Sequence, residues 1–249
     1  MTQATTGWKP NIQTTQAYSK TAGVKICVYG AAGVGKTPLA KTVGKALILA
    51  AEDGVGTVSA ADIPLIRVRD TATLNGMKQW LKVPANIAQY DWIFLDSLSN
   101  LTQVIFTEVM ETTKSADPRK FYGELTDRII PFLEVLFSLD KNIVVTMWQG
   151  EQTTPAGAFQ RYVPATKGQA IAQYCMHFFD VTLHMAKHQI QEQQADGTVQ
   201  TVTRSFLQAH EFNFTFARTR HVHADGVTPK LGNFEPADLS VIYNKLIAN

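Results

Sequence analysis

Residues 30–37 read Gly-Ala-Ala-Gly-Val-Gly-Lys-Thr, a complete phosphate-binding loop, and this pattern limits the fold more than any other feature of the chain. An apolar run over residues 24–29 predicts a strand before the loop, and residues 39–45 predict a helix after it. Glycines let successive backbone N–H groups turn toward phosphates, and the amino end of a helix favours the same anion. A chance glycine-rich turn is the alternative, but the flanking strand and helix favour a nucleoside triphosphate site.

The expected contacts to the nucleotide follow from this loop. Lys36 can reach the β- and γ-phosphates, and the Thr37 hydroxyl can hold a magnesium ion. ATP and Mg²⁺ are therefore the expected cofactors. The residues predicted to form the site are Gly30, Ala31, Ala32, Gly33, Val34, Gly35, Lys36, Thr37 and Pro38.

Length and composition favour a single globular α/β domain, since the chain has 249 residues of which 45% are hydrophobic. We assign the domain to residues 23–249 and interpret residues 1–22 as an arm, either a disordered tail or a segment that contacts a partner. A net charge of +2 is too small to indicate nucleic-acid binding by itself. The two cysteines imply no disulfide framework, and no segment has the pattern of a signal peptide or a membrane span. We therefore expect a cytoplasmic protein with no membrane partner.

Strand and helix patterns alternate along the first two thirds of the chain. The predicted strands cover residues 46–50, 63–68, 92–95 and 142–148. The predicted helices cover residues 71–83, 98–109 and 125–136, with Pro131 expected to kink or end the last one. This alternation predicts an α/β fold with a mainly parallel central sheet flanked by helices.

The last third changes character and predicts an antiparallel extension of the sheet. The expected strands are residues 178–185, 189–192, 199–204 and 211–217, with a hairpin turn at residues 195–197. A terminal helix is expected over residues 236–246.

Two positions offer carboxylates at the carboxyl ends of strands, the edge of a parallel sheet where ligands bind. Asp96 ends a strongly apolar run, so it can hold Mg²⁺ together with Thr37; the alternative is a strand-end cap. Glu52 and Asp53 follow the predicted strand over residues 46–50, which comes after the helix expected behind the phosphate loop. Either carboxylate could polarise the water that attacks the γ-phosphate. Acidic residues are also common in turns, so the residues alone leave both readings open.

Gln149 ends the predicted strand over residues 142–148, where a neutral amide can sense a γ-phosphate and pass the signal to the next segment. That segment, residues 150–168, is predicted to be a long loop. Basic and aromatic side chains together suit single-stranded DNA, because bases stack on rings and phosphates pair with cations. A substrate lid or a disordered surface loop is the alternative. The candidate DNA-binding residues here are Phe159, Arg161, Tyr162 and Lys167.

A second segment of the same mixed character, residues 114–122, is predicted to lie between two helices, with a charged surface turn as the alternative. Its candidate DNA-binding residues are Lys114, Arg119, Lys120 and Tyr122. Arg218 and Arg220 follow a predicted strand near the end of the chain. They could stabilise phosphate charge in their own subunit or in a neighbour, or could simply be solvated at a strand end.

Taken together, these motifs resemble the RecA core, and more closely the phage nucleotide-binding proteins of the RecA-like single-strand annealing group. The resemblance spans about residues 24–220 and rests on the phosphate loop and on the stretches at residues 91–97, 117–123 and 216–220. It implies that Glu52 rather than Asp53 activates water and that Gln149 couples the nucleotide to a DNA-binding loop. It also implies that residues 150–168 and 114–122 contact single-stranded DNA. The group usually has a lysine where Arg218 stands.

The resulting expectation is a DNA-dependent ATPase of annealing or homologous recombination, phage-encoded and acting as a ring or filament of identical subunits. ATP would lie near the subunit interfaces, and a single-strand-binding protein is a further expected partner. Two alternatives stay open from the sequence. One is a small-molecule kinase that uses residues 150–168 as a lid, and the other is a nucleotide-dependent switch or assembly protein with a protein partner.

Overall fold

The computed structural model describes residues 12, 14, 22–52, 54–193, 197–212, 214–223 and 225–248. Most of the predicted arm, Asp53 and residues 195–196 of the predicted hairpin turn lie outside the described residues.

The described residues form one mixed sheet of ten strands, in the order β10-β8-β7-β1-β5-β4-β2-β3, with β6 paired to β5 and β9 paired to β7. The strands are β1 (Lys25–Gly30), β2 (Ala46–Ala50), β3 (Leu65–Arg67), β4 (Trp92–Asp96), β5 (Asn142–Thr153), β6 (Phe159–Ala165), β7 (Val181–Gln193), β8 (Val199–Gln208), β9 (Arg218–Thr219) and β10 (Phe234–Pro236). Strands β3, β2, β4, β5, β1 and β7 pair in parallel, whereas β6, β8, β9 and β10 pair antiparallel to their neighbours. The predicted parallel core with an antiparallel C-terminal extension is confirmed.

Helices cover both faces of this sheet, because the central strands are apolar on both sides. The α-helices are α1 (Thr71–Leu81), α2 (Pro84–Ile87), α3 (Leu98–Thr112), α4 (Pro118–Phe137), α5 (Gln169–Cys175) and α6 (Leu239–Ile247), and 3₁₀ helices cover Thr37–Thr42 and Gly54–Ala61. Helices α1, α3, α4 and α5 bury one face of the sheet. The 3₁₀ helices and α6 bury the other face.

The segment after the phosphate loop is a short 3₁₀ helix, not the predicted helix over residues 39–45. The segment ends at Thr42, because Val43 is extended with φ −131° and ψ 152°, and β2 begins at Ala46. The Thr42 hydroxyl donates to the carbonyl of Leu39 and closes the segment. A helix dipole of the expected size is therefore not available to the phosphates.

The structure also corrects both candidate DNA segments. Residues 150–168 are mainly the β5–β6 hairpin rather than a loop, because β5 continues to Thr153 and pairs with β6. Residues 118–122 form the first turns of α4, where Asp117 caps the helix by accepting from the Arg119 amide. Helix α4 continues through Pro131, since the buried side chains on both sides of the proline hold it against the sheet.

Three C-terminal boundaries differ from the expectation. Residues 181–185 and 189–192 belong to one long strand, β7, which begins at Val181 rather than at Phe178. Among the described residues 211–212 and 214–217 only isolated bridges occur, at Phe212 and Thr215, and the regular strand begins at Arg218. Helix α6 begins at Leu239 because Pro236 ends β10 and Asp238 caps the helix, accepting from the amides of Ser240 and Val241.

Candidate nucleotide-binding site

The phosphate loop connects β1 to the first 3₁₀ helix at the carboxyl edge of the parallel strands. Gly33 and Gly35 have φ angles of 74° and 107°, a region that side chains with a Cβ rarely adopt. Gly30 is required for a different reason, because a Cβ there would overlap the carbonyl oxygen of Met185 in β7. Ser205 of β8 donates to the Val34 carbonyl at 2.8 Å. Sequence patterns gave no sign that the β7–β8 ribbon supports the loop.

Lys36 is folded back over the loop. Its Nζ donates to the carbonyl oxygens of Gly30 and Ala31, at 2.8 and 2.9 Å. Burial lowers the pKa of Lys36, while Glu52 and Asp96 act in the opposite direction. The ammonium group is thus held at the mouth of the loop, between two carboxylates, where it can exchange carbonyl partners for phosphate oxygens.

Thr37 and Asp96 form the centre of the site. The Thr37 hydroxyl donates to Oδ2 of Asp96 at 2.6 Å, and the Thr146 hydroxyl donates to Oδ1 at 2.5 Å. Asp96 is only 3% exposed, and burial raises its pKa, although the two hydroxyl donors act in the opposite direction. A hydroxyl and a carboxylate side by side are the hard oxygen donors that Mg²⁺ accepts, and one or two such ligands suffice because the ion keeps several waters. The residues present therefore fit a magnesium ion.

Glu52 lies beside this centre, directly after β2. The Ser97 hydroxyl donates to Oε1 of Glu52, and the indole Nε1 of Trp148 donates to the same oxygen at 3.3 Å. The charge of Glu52 also favours the protonated form of Lys36 and so acts to raise the pKa of this lysine. The structure thus brings Glu52 together with the phosphate loop, whereas Asp53 lies outside the described residues. Thr146, Ser97 and Trp148 were missed from the sequence, since hydroxyl and indole partners leave no spacing pattern.

Gln149 lies in β5, one residue beyond the level of Gly30, and β5 continues after it. Its Oε1 is 2.9 Å from Nε2 of His184. Burial lowers the pKa of His184 to about 4, so the ring is neutral and donates to the amide oxygen. The His184 ring also contacts Tyr29, with ring centroids 4.9 Å apart, and the Tyr29 hydroxyl donates to the Phe216 carbonyl at 2.7 Å. Gln149 is therefore linked through β7 to β1, just before the phosphate loop.

The hairpin residues predicted to bind DNA lie on β6. Phe159 is exposed and contacts Tyr162, with ring centroids 4.9 Å apart. Arg161 already has protein partners, since Nη1 is 2.6 Å from Glu211 and the guanidinium lies 5.0 Å from the centre of the Phe216 ring. Phe159 is thus more accessible than Arg161, whereas Tyr162 is half-buried.

The two candidate DNA segments meet at Phe106 of α3. Lys167, which follows β6, places Nζ 4.6 Å from the centre of the Phe106 ring. Tyr122 of α4 packs against the same ring, with centroids 4.9 Å apart. The remaining basic candidates are exposed on the loop before α4 and on its first turn: Lys114, Arg119 and Lys120.

Arg218 and Arg220 lie toward the opposite edge of the sheet. Arg218 pairs with Thr182, which is level with Cys27, and its Nη2 donates to the Met176 carbonyl at 2.7 Å. The Arg220 amide donates to the carbonyl of Asp180, which precedes β7. This position separates both residues from the phosphate loop of their own chain, and contact with a neighbouring chain's nucleotide stays a prediction.

A mainly parallel sheet, a phosphate loop after its first strand and a buried aspartate at the end of β4 define a P-loop NTPase fold. The AAA domain family matches residues 22–221, and the chain belongs to this family of P-loop ATPase domains. Membership in the narrower phage annealing group stays a prediction. No helix in the described part of the chain is long and apolar enough to cross a membrane.

Among solved structures, 234 chains match. One is an ATPase from the type III secretion system of pathogenic bacteria, with a TM-score of 0.46 and 10% identity. The match covers 66% of this chain and 52% of that one, so this chain spans about half the length of the secretion ATPase. No curated protein sequence matches.

Proposed function

We propose that this chain hydrolyses ATP and couples hydrolysis to the binding of single-stranded DNA by the β5–β6 hairpin, in annealing or recombination. The observation that best supports this proposal is the position of Gln149. It stands at the carboxyl edge beside the phosphate loop and is at the same time the second residue of the hairpin ladder, paired with Pro164. A residue in this position can report the state of the nucleotide to the segment proposed to bind DNA.

The chemical roles follow from the contacts at the loop. Bound ATP with Mg²⁺ would supply the electrophilic phosphoryl group and part of its charge neutralisation. Lys36 would hold phosphate oxygens, and Thr37 and Asp96 would hold the ion, for which their oxygens are already adjacent. Glu52 would accept the proton of the attacking water, since its carboxylate lies beside Lys36 and is already oriented by two donors.

The DNA half of the proposal is supported by the grouping of aromatic and basic side chains. The hairpin carries exposed Phe159 beside Tyr162, and Lys167 and Tyr122 share the Phe106 ring. A single strand can stack its bases on such rings while lysines and arginines contact its phosphates. Neighbouring chains would complete the nucleotide site, with Arg218 or Arg220 reaching the partner's phosphates.

The test is ATP turnover with and without a single-stranded oligonucleotide at low salt. We expect stimulation that weakens steeply as salt rises, because binding releases counterions. A chain that neither binds the oligonucleotide nor responds to it would refute the DNA half. Phosphate transfer to a small acceptor would identify a kinase, and nucleotide-dependent assembly without DNA would identify a switch protein.

Glu52→Gln separates hydrolysis from binding. The amide keeps the shape of the side chain but cannot take a proton, so turnover should fall by about 100-fold or more while ATP affinity is kept. The matched control is Glu134→Gln, an exposed carboxylate in the second half of α4, which should leave turnover unchanged. Unchanged turnover in Glu52→Gln would remove Glu52 from the chemistry.

A further inference from the structure

The first turn of α3 contacts the end of β2. Ser97, the cap of α3, donates through its hydroxyl to Oε1 of Glu52, and the side-chain amide of Asn100 donates to the carbonyl of Ala51. Ser97 also accepts from the Asn100 amide at 3.1 Å, so its orientation is fixed by the helix it caps. The backbone and the carboxylate of the residue proposed to activate water are therefore both attached to this one turn.

The same turn contacts the root of the β5–β6 hairpin. The Ser99 hydroxyl accepts from the Trp148 amide at 2.7 Å and donates to the Ala165 carbonyl at 2.5 Å. Trp148 and Ala165 are paired across the hairpin, so Ser99 holds both of its strands. Ser99 is fully buried, which protects these bonds from water.

Trp148 connects the two sets of contacts. Its backbone belongs to the hairpin root, while its indole Nε1 donates to Oε1 of Glu52 at 3.3 Å. The side chain is 41% exposed, a position where a large aromatic ring gains little from burial. Because Ser97 and Trp148 both donate to Oε1, neither uses Oε2 as its acceptor.

We propose that Ser97 and Trp148 are positioning residues for Glu52, and that Trp148 lets the hairpin set the orientation of this carboxylate. The inference rests on the proposed role of Glu52. When the hairpin root moves, the indole moves with it, and the carboxylate is held in or released from the orientation that accepts a proton. None of these hydrogen bonds involves a residue of the phosphate loop, so we expect their removal to change nucleotide affinity little.

The experiment is a double-mutant cycle in the full chain, with Trp148→Phe, Glu52→Gln and the double variant. Trp148→Phe removes the indole donor and keeps an aromatic ring. It should lower kcat on the order of tenfold, the loss of one hydrogen bond to a charged group, and leave KM for ATP within about twofold. In the Glu52→Gln background the same change should have no further effect, since residues that act as a unit are not additive.

Two further variants complete the experiment: one is a control for changing a tryptophan, and the other removes the second hydrogen-bond donor to Glu52. Trp80→Phe changes a half-buried tryptophan of α1 and should leave kcat unchanged. Ser97→Ala removes the other donor; its melting temperature should fall because the cap of α3 is lost, and its effect on kcat should also vanish in the Glu52→Gln background. Stimulation by single-stranded DNA should decrease toward onefold in Trp148→Phe.

The outcomes distinguish this inference from the proposed function. The positioning role alone would be overturned by either of two results. One is an equal loss of kcat when Trp148→Phe is made in the wild-type and in the Glu52→Gln chain, and the other is a wild-type kcat in Trp148→Phe. Full stimulation in Trp148→Phe would overturn the link to the hairpin. Wild-type turnover in Glu52→Gln would overturn the role of Glu52 and the inference with it. A wild-type chain that hydrolyses ATP but ignores DNA would overturn the DNA half of the proposed function and the link to the hairpin, while the double-mutant cycle would still test the positioning of Glu52.

Discussion

His184 gives the stability of this protein a specific dependence on pH. Its ordinary pKa is 6.5, and burial first, then the nearby charges of His188 and Lys36, lower it to about 4. Between these values the unfolded chain binds a proton that the folded chain excludes, so the free energy of unfolding decreases as pH falls from 6.5 toward 4. The full difference between the two pKa values corresponds to about 3 kcal/mol in the free energy of unfolding. Because pH 4.5 lies above the folded-state pKa and the residue keeps 8% of its surface exposed, about 1–2 kcal/mol of this difference should be seen there.

His184→Gln tests this prediction, since glutamine is neutral across the range and can still donate to the amide of Gln149. Both proteins are unfolded with urea at about pH 7 and about pH 4.5. Carboxylates lose stability in both chains, so the difference between them isolates His184. On acidification the variant should gain about 1–2 kcal/mol relative to the wild type, or roughly 0.3–0.7 M in urea midpoint. A difference that stays constant from neutral to acidic pH would refute the assignment of a neutral, buried ring.

Three further predictions concern the core of the nucleotide site. Asp96→Asn should raise the melting temperature of the nucleotide-free protein, because burial raises the pKa of Asp96 and makes its ionised form costly. This gain should vanish as pH falls through the pKa of Asp96, where the wild-type side chain becomes neutral. Calorimetry should also show that ATP binding to the variant no longer depends on Mg²⁺. Thr146→Val leaves Oδ1 of Asp96 without its hydroxyl donor and should cost about 1–3 kcal/mol in urea unfolding, whereas an unchanged midpoint would show that water replaces the hydroxyl. Gly30→Ala should lower both stability and ATP affinity, since its Cβ overlaps the Met185 carbonyl; a variant that melts like the wild type and binds ATP normally would contradict the close packing of β1 on β7.

Local sequence patterns determined the fold class and the centre of the site. Apolar runs at strand and helix spacing predicted the parallel core, and the phosphate-loop pattern together with Asp96 and Glu52 predicted residues that the structure brings together. The fold-class prediction succeeds because it depends on local runs of residues. The candidate site residues lie close together because parallel strands place their carboxyl ends at one edge, and their roles stay predictions.

Tertiary structure decided what depends on partners distant in sequence. Residues 150–168 carry the prolines and glycines of a loop, yet they form a hairpin because β6 pairs with an extended β5. The segment after the phosphate loop is a 3₁₀ helix that ends where Val43 becomes extended. The pairing of Arg218 with β7 places this residue away from the nucleotide site of its own chain. Ser97 lies 45 positions after Glu52 in the sequence, and Trp148 lies 96 positions after it, yet both contact its carboxylate. No local pattern encodes such contacts, because they exist only once the strands have been ordered in the sheet.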